Sequence, residues 1–193
     1  YPDQIELPFK TATYPAELER WVTLKDGTKI FIRPLRLTDE PLVRELFYRL
    51  SPESVHYRFF QMLKSMPHEK LQELLRVDYE SDMAMIGLTD SDEAGHAIAI
   101  AHYMKDPKTN FAESAFLVRD DWQGKGIGTL LMTALAEAAQ LAGIAGFTGE
   151  VLMENHGMLR VFHKCGYAVE SSLSDGVYSL RIPFAPKRHQ PVA

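Results

Sequence analysis

Residues 111–142, with the sequence FAESAFLVRDDWQGKGIGTLLMTALAEAAQLA, decide how the rest of the chain folds. The first eight residues are mostly apolar and contain no Gly or Pro, which predicts a strand. A polar turn follows, and then three glycines stand at alternate positions. Beyond them, apolar side chains recur at intervals of three and four, which predicts a helix with one apolar face formed by Ile127, Leu130, Leu131, Ala134, Leu135, Ala138 and Leu141.

A strand, a glycine-rich turn and a helix start together predict an anion-binding site. The first four N–H groups of a helix have no partners within it, and the helix dipole places partial positive charge there. Glycines lack a Cβ, so a phosphate can approach their backbone closely. The glycines stand at 124, 126 and 128, which fits neither G-x-x-x-x-G-K-[ST] nor G-x-G-x-x-G. The turn is therefore interpreted as a phosphate loop of another kind; a plain connecting turn is the alternative.

The composition is that of one globular domain. The chain has 193 residues, of which 46% are hydrophobic and 24% charged, enough for a sizeable core. Its formal net charge of -5 disfavours general nucleic-acid binding. Cys165 is the only cysteine, so no internal disulfide can form and a reducing, cytoplasmic compartment is expected. No apolar run approaches the ~18 residues of a membrane span, and no signal peptide is visible, so no membrane partner is expected.

Turn signals and short apolar runs predict the remaining elements. Residues 1–20 carry three prolines among polar residues and predict a linker or surface arm, and residues 185–193 predict a loose tail. Helices are expected to begin after Thr38, after Ser51 and near Pro67. A further helix, with Asn155 as its N-cap, is expected at residues 156–164. Strands are predicted at residues 21–24, 29–33, 83–89, 97–104, 111–118, 147–153, 167–171 and 177–182.

In this setting, Gln123-x-x-Gly126-x-Gly128 resembles the acetyl-CoA pyrophosphate loop of the GNAT superfamily of N-acetyltransferases. The resemblance covers residues 21–184, which are expected to form one GNAT domain. Residues 32–35, 38–40 and 55–60 are similar to the GNAT domain of bacterial protein lysine acetyltransferases, which is often fused to acyl-CoA synthetase-like or CoA-transferase-like domains. The resemblance implies an α+β fold in αβα layers, with a central, mostly antiparallel mixed sheet flanked by helices.

The resemblance also implies acetyl-CoA as co-substrate and assigns its contacts. Loop amides would hold the pyrophosphate, and the preceding strand would pair with the pantetheine arm and turn an amide to the thioester oxygen. Asn155 would serve as N-cap, as pantetheine contact, or as both. The cofactor-binding residues so predicted are Leu117, Val118, Gln123, Gly124, Lys125, Gly126, Gly128, Thr129 and Asn155.

The resemblance assigns a general base in this sequence but no general acid. Glu113, ten residues before Gln123, would be the general base, and partial burial is expected to strengthen it in that role; a solvent-facing glutamate without function is the alternative. Many family members carry a Tyr general acid four residues before the Gly of a Gly-Phe pair, but here that residue is Phe162, which cannot donate a proton. No general acid is therefore assigned. The seven histidines lack metal-ligand spacing, so no metal is predicted.

Three functions follow as hypotheses. The first is an acetyl-CoA-dependent N-acetyltransferase whose acceptor is a protein lysine. The second is an N-acetyltransferase of a small amine, which nothing in the acceptor region excludes. The third is a non-catalytic acyl-CoA-sensing domain of a larger protein, which the Phe at 162 supports and the Glu at 113 opposes.

Overall fold

A computed structural model describes residues 13–54, 74–90 and 95–185 of the chain. Within these ranges eight strands form one sheet, in the order β1-β2-β3-β4-β5-β6-β8-β7. Neighbouring strands are antiparallel, except β5 and β6, which are parallel. The strands are β1 (Arg20–Thr23), β2 (Lys29–Pro34), β3 (Asp82–Leu88), β4 (Ala97–Lys105), β5 (Phe111–Val118), β6 (Gly146–Leu152), β7 (Glu170–Ser174) and β8 (Val177–Pro183).

Helices cover both faces of this sheet. Those with described bounds are α1 (Glu40–Tyr48), α2 (Ile127–Leu141) and α3 (His156–His163). A large apolar cluster contains side chains of α2 and α3, and a smaller cluster contains side chains of α1. Successive side chains of β3 alternate between them, with Met83 and Met85 in the large cluster and Ala84 and Ile86 in the small one. The expected α+β fold, with helices on both sides of a mixed and mostly antiparallel sheet, is confirmed.

The C-terminal end of α2 differs from the sequence prediction. Leu141 was expected on the apolar face, but it is 81% exposed. The helix ends at Leu141 and the chain reverses at Gly143, whose φ is +79°. Gly143 N–H donates to Gln140 O and Ile144 N–H donates to Ala139 O, which is the pattern of a Schellman motif. Ile144 is buried instead of Leu141, because this motif folds the residue after the glycine back onto the helix.

The predicted strands agree with the observed ones except near the C-terminus. β5 has the predicted bounds, and the hairpin between β1 and β2 turns at Gly27, whose φ is +88°. β7 begins at Glu170 rather than at residue 167. Gly166, at φ +86°, follows the end of α3, and the Tyr167 ring turns inward to pack 5.3 Å from the Phe184 ring. The predictions for residues 1–12, 55–73 and 186–193 lie outside the described residues.

β5 and β6 form the least regular junction of the sheet. They pair over three residues only, from Phe111 opposite Gly146 to Glu113 opposite Thr148. β5 then continues along β4, and β6 continues along β8. The Ser114 hydroxyl donates to Thr148 O at 3.2 Å where the pairing ends. A gap therefore opens inside the sheet between the C-terminal halves of β5 and β6.

Candidate active site

Backbone groups of both strands face this gap. Peptide groups along a strand point alternately to its two sides. Arg119 N–H donates to Ile98 O of β4 at 2.8 Å, so the peptide groups of Phe116 and Val118 point the other way, into the gap. On β6, Met153 N–H donates to Gly176 O, next to β8, at 2.8 Å. The peptide groups of Glu150 and Leu152 therefore point away from β8 and into the gap. Val118 O accepts the Gln123 side chain and Leu152 O accepts the Asn155 N–H, at 3.0 and 2.9 Å. The other groups of these strand edges favour an extended ligand that carries amides.

The peptide groups of Leu117 and Val118, which the sequence analysis assigned to the same ligand contact, point to opposite sides of β5. Leu117 lies opposite Ile100 on β4, and its peptide group faces that strand. The expectation that a Leu117 amide faces the ligand is therefore wrong for this geometry. The side chain of Leu117, by contrast, packs against the α1 cluster on one face of the sheet. Only the even-numbered residues of β5 turn their amides into the gap.

The glycine-rich loop leads into the N-terminus of α2 at the mouth of the gap. Gly124 and Gly126 have φ angles of +77° and +84°, which are left-handed conformations that favour glycine. Gly126 is the N-cap and provides no side-chain cap, so the first N–H groups of α2 are open to a ligand. These amides and the helix dipole suit a phosphate.

Gly128 is needed for a different reason than the one expected. Its φ is not in the left-handed range, and it is the second residue of α2. A Cβ at this position would lie 2.9 Å from Val161 Cγ2 of α3. Gly128 therefore allows α2 and α3 to approach closely, whereas a Cβ at Gly124 or Gly126 would meet nothing within 4 Å. Close helix packing, rather than access for a phosphate, explains the third glycine.

The gap and the loop belong to one cavity of about 1140 Å³. Its walls come from the C-terminal half of β5, the loop, the start of α2, β6, α3 and the β1–β2 hairpin. This volume is sufficient for a ligand of cofactor size. All the predicted site residues line it: Glu113, Leu117, Val118, Gln123, Gly124, Lys125, Gly126, Gly128, Thr129 and Asn155.

Glu113 lies in the cavity but is more open than expected. Its neighbours Ala112 and Ser114 point to the α2 side and are buried, whereas Glu113 points to the opposite face and is exposed. The predicted partial burial is therefore wrong. On the adjacent strand, Thr148 lies opposite Glu113, and Glu150 lies two residues further on the same face. The half-exposed side chain of Met104, opposite Glu113 on β4, leaves this face open.

Gln123 makes bonds that sequence reasoning did not expect. Its backbone N–H, predicted to hold a phosphate, donates instead to Asp120 O at 3.3 Å. Its side-chain amide donates to Val118 O at 3.0 Å and to Ser54 Oγ at 3.4 Å. Gln123 thus ties the end of β5 to the loop, and the amides available to an anion begin at Gly124.

Asn155 caps α3, as predicted from the sequence. Its Oδ1 accepts the Met158 N–H at 3.3 Å. This bond satisfies one of the open N–H groups of the helix and leaves the side-chain amide of Asn155 at the cavity wall.

Phe162 forms part of the cavity floor. It is 2% exposed and meets the Phe116 ring edge to face at a centroid distance of 5.6 Å. Its Cζ would lie 3.4 Å from a Cβ added at Gly149, so it also packs beneath β6. Among the described residues that line the cavity there is neither a Tyr nor a Cys, so no other phenol and no thiol takes the place of the missing Tyr hydroxyl.

An ion pair closes the outer end of the cavity. Lys125 Nζ lies 3.0 Å from Asp26 Oδ2 in the β1–β2 hairpin and 5.7 Å from the centre of the Trp122 ring. The pKa of Asp26 is lowered to about 2, first by the hydrogen bond from the Thr28 backbone N–H and then by the Thr28 and Lys125 side chains. Asp26 is therefore ionised at every pH at which the protein would be assayed.

Sequence reasoning missed a second group of polar residues beside the loop. Asp120 accepts the Ser51 N–H at 3.0 Å, the Ser51 hydroxyl at 2.7 Å and the Ser54 hydroxyl at 3.0 Å. Burial would raise the pKa of Asp120, but these hydrogen bonds outweigh it and the pKa lies below its usual value. The bonded residues are 66 or more positions apart in the chain, so no local sequence signal could have paired them.

Two further kinds of site are not found in the described part of the chain. No group of three or more His, Cys, Asp or Glu side chains in residues 13–54, 74–90 and 95–185 could hold a metal ion. In the same ranges no helix is long and apolar enough to cross a membrane.

The comparisons with known proteins agree on one family. The acetyltransferase (GNAT) family matches residues 48–167. An acetyltransferase of Pseudomonas aeruginosa is 34% identical over 128 residues, 66% of this chain and 69% of the relative. Acetyltransferase Pat of Mycolicibacterium smegmatis is 31% identical over 146 residues, 75% of this chain, but the aligned part is only 43% of that relative's length.

Solved structures lead to the same conclusion. The crystal structure of the GNAT domain of S. lividans PAT matches with a TM-score of 0.80 at 30% identity, covering 89% of this chain and 99% of that domain. A TM-score of this size shows that this domain shares the fold described above. The chain belongs to the acetyltransferase (GNAT) family and is an N-acetyltransferase.

Proposed function

We propose that the protein transfers the acetyl group of acetyl-CoA to a lysine side chain of another protein, with Glu113 as general base. The observation that carries this proposal is the gap between β5 and β6, which joins the loop at one end to Glu113 at the other. Acetyl-CoA supplies an activated acyl thioester at the end of a long, amide-bearing arm. The backbone groups that face the gap suit such an arm.

The chain's own groups divide the binding between them. The amides of Gly124, Lys125, Gly126, Gly128 and Thr129 lie where a pyrophosphate would be held, supported by the positive end of the α2 dipole. The amides of Phe116 and Val118 point into the gap and would bind the arm and the thioester oxygen. The Asn155 amide would bind the arm from the opposite wall.

Glu113 would take the proton of the attacking ammonium. It lies three residues from Phe116, which is about 10 Å along an extended strand. The acceptor ammonium would lie between the thioester and this carboxylate, which would take its proton directly or through water. It is exposed on the face opposite α2, where an acceptor can approach without crossing the CoA site. No group is assigned to protonate the departing thiolate, because Phe162 has no hydroxyl.

A protein lysine is proposed as the acceptor for two reasons. The relatives with a substantial match include Acetyltransferase Pat and the GNAT domain of S. lividans PAT, and residues 32–35 and 38–40 carry the resemblance to protein lysine acetyltransferases. Several carboxylates also line the described cavity, which suits a cationic acceptor: Glu53, Glu113, Glu150 and Glu154. The coverage of the Mycolicibacterium relative supports fused domains outside this chain.

The test compares Glu113→Gln with Glu150→Gln, because both carboxylates lie on one face of adjacent strands. Glu113→Gln should lower kcat at neutral pH by about 10²-fold or more, while calorimetry shows unchanged acetyl-CoA affinity. Glu150→Gln should keep most of its kcat. Full kcat for Glu113→Gln between pH 6 and 9 would exclude Glu113 as the base.

The acceptor is tested with a panel of lysine peptides, acceptor proteins and polyamines, with thiol release as the signal. Turnover on protein lysines and not on small amines supports the proposal, and the reverse pattern supports a small-molecule enzyme. Acetyl-CoA binding without thiol release on any acceptor would support an acyl-CoA sensor instead.

A further inference from the structure

A cluster of hydrogen bonds connects the CoA loop to the segment that follows α1. We name it the Asp120 bridge; it consists of the side chains of Ser51, Ser54, Asp120 and Gln123. Asp120 and Gln123 belong to the turn between β5 and α2, and Ser51 and Ser54 belong to the segment 51–54. Ser54, Asp120 and Gln123 also line the cavity.

On the side of segment 51–54, the bridge holds a helical start. Residues 52–54 are helical, and Ser51 Oγ accepts the Ser54 N–H at 3.1 Å, which is an N-cap contact. Asp120 accepts the Ser51 N–H and hydroxyl and the Ser54 hydroxyl, at 2.7 to 3.0 Å. Ser54 is only 8% exposed, so this contact is not a loose surface pair. One carboxylate thus accepts three hydrogen bonds from this segment.

On the loop side, the same residues fix the end of β5. Gln123 N–H donates to Asp120 O, and the Gln123 side chain joins Val118 O to Ser54 Oγ. The turn also has bonds of its own, such as Trp122 N–H to Arg119 O at 2.8 Å. The loop should therefore keep its shape without Asp120.

The position of segment 51–54 indicates which side of the active site the Asp120 bridge supports. Leu50, just before the segment, packs in the α1 cluster, and Leu117 of β5 packs in the same cluster. Leu117 and Glu113 point to the same face of β5, because they are separated by four residues of a strand. Segment 51–54 is thus on the face of the sheet that carries Glu113, which is the acceptor side of the proposed reaction.

We infer that Asp120 is a positioning residue, which couples the acceptor side of the site to the CoA loop through Ser51, Ser54 and Gln123. The inference rests on the proposed function for the assignment of the two sides. Loss of the bridge weakens acceptor binding and disconnects segment 51–54 from events at the loop. Acetyl-CoA binding itself is retained, because the loop amides and the helix start are unchanged.

The kinetic test uses Asp120→Asn, Ser51→Ala and Ser51→Thr. Asn presents one oxygen and two N–H groups, so it cannot accept all three hydrogen bonds. Asp120→Asn and Ser51→Ala should raise the acceptor KM tenfold or more and change the acetyl-CoA KM by less than twofold. Ser51→Thr keeps the hydroxyl and should behave as wild type. An equal rise of both KM values, or no change in either, would overturn the inference.

Asp121→Asn is the matched control. Its carboxylate lies in the same turn but binds Arg119, at 2.6 and 2.8 Å, and its side chain is 61% exposed. Its kinetics should match wild type. An acceptor KM raised as much as in Asp120→Asn would attribute the effect to loss of any charge in the turn and would overturn the role given to Asp120.

A second measurement does not depend on turnover. Hydrogen exchange is followed in peptides that cover residues 51–54 and residues 123–129, with and without acetyl-CoA. In wild type, acetyl-CoA should slow exchange in both; in Asp120→Asn it should slow exchange in residues 123–129 only. Slowing of both regions in Asp120→Asn would refute the coupling. Absence of acetyl-CoA binding to wild type would instead refute the proposed function, so the two failures are distinguishable.

Discussion

Replacement of Gly128 by Ala tests whether the close packing of α2 against α3 requires a glycine at this position. The added Cβ would lie 2.9 Å from Val161 Cγ2, whereas non-bonded carbons prefer about 3.5–4.0 Å. The helices would have to separate by roughly 0.6–1 Å, and overpacking of this kind costs about 1–3 kcal/mol. Ala is favoured over Gly inside a helix by about 1 kcal/mol. The net loss of unfolding free energy should therefore be about 0–2 kcal/mol.

The assay is urea unfolding in the wild-type background and in a Val161→Ala background. Val161→Ala removes both methyl groups that the new Cβ would meet. In that background Gly128→Ala should become neutral or stabilising by up to about 1 kcal/mol, because only the helix propensity remains. The coupling free energy of the double-mutant cycle should reach about 1–3 kcal/mol.

Gly126→Ala is the control for this experiment. A Cβ there would meet nothing within 4 Å, but the φ of +84° would be strained by about 1–2 kcal/mol. This cost should be the same in both backgrounds, since it does not involve Val161. If Gly128→Ala stabilises wild type, or changes the unfolding free energy equally in both backgrounds, then the helices are not held at the described distance and the prediction is wrong.

Two further predictions concern charged groups. Asp26→Asn should tighten acetyl-CoA binding by a few fold at low salt, because it removes a negative charge from the mouth of the CoA site and frees Lys125. Calorimetry at rising salt should show this gain in affinity disappear. A change in affinity that does not depend on salt would contradict the prediction. Since the pKa of folded Asp26 is lowered to about 2, the favourable effect of its charge on stability is present above pH 4 and is lost as the pH falls towards 2. Asp26 therefore stays ionised between pH 5 and 9, and the acetyl-CoA affinity of wild type should not change with its titration in that range. Asp39→Asn should lower the unfolding free energy by about 3–5 kcal/mol, because it leaves the buried guanidinium of Arg33, now bound at 2.6 and 2.7 Å, without its charged partner. A loss below about 1 kcal/mol in urea unfolding would show that water reaches Arg33.

The parts of the site that the sequence predicted are those encoded locally. The strand of β5, the glycine turn and the start of α2 follow one another within twenty residues, and their signals are periodicity and residues that tolerate positive φ. The N-cap role of Asn155 is local in the same sense. Such features depend on the chain's own backbone geometry, and a single sequence carries that information.

What the sequence did not predict depends on neighbours in space. Which amides of β5 face the gap depends on its register with β4, so Val118 and Leu117 could not be told apart. The exposure of Glu113 depends on the side chains that happen to lie beside it. The Val161 contact that requires Gly128, and the Asp120 bridge, each join residues more than thirty positions apart.

The short β5–β6 pairing has a consequence for how the domain responds to force and heat. Five strands on one side and three on the other are joined by three residue pairs, beyond which the backbones separate. Along this line the sheet has a seam, and residues of β6, β7 and β8 should open as a unit at a lower free energy than the five-strand half. A ligand that spans the seam would act as an additional strand. Its binding free energy would then add to the stability of the three-strand half, so that the two halves should unfold more cooperatively when the ligand is bound.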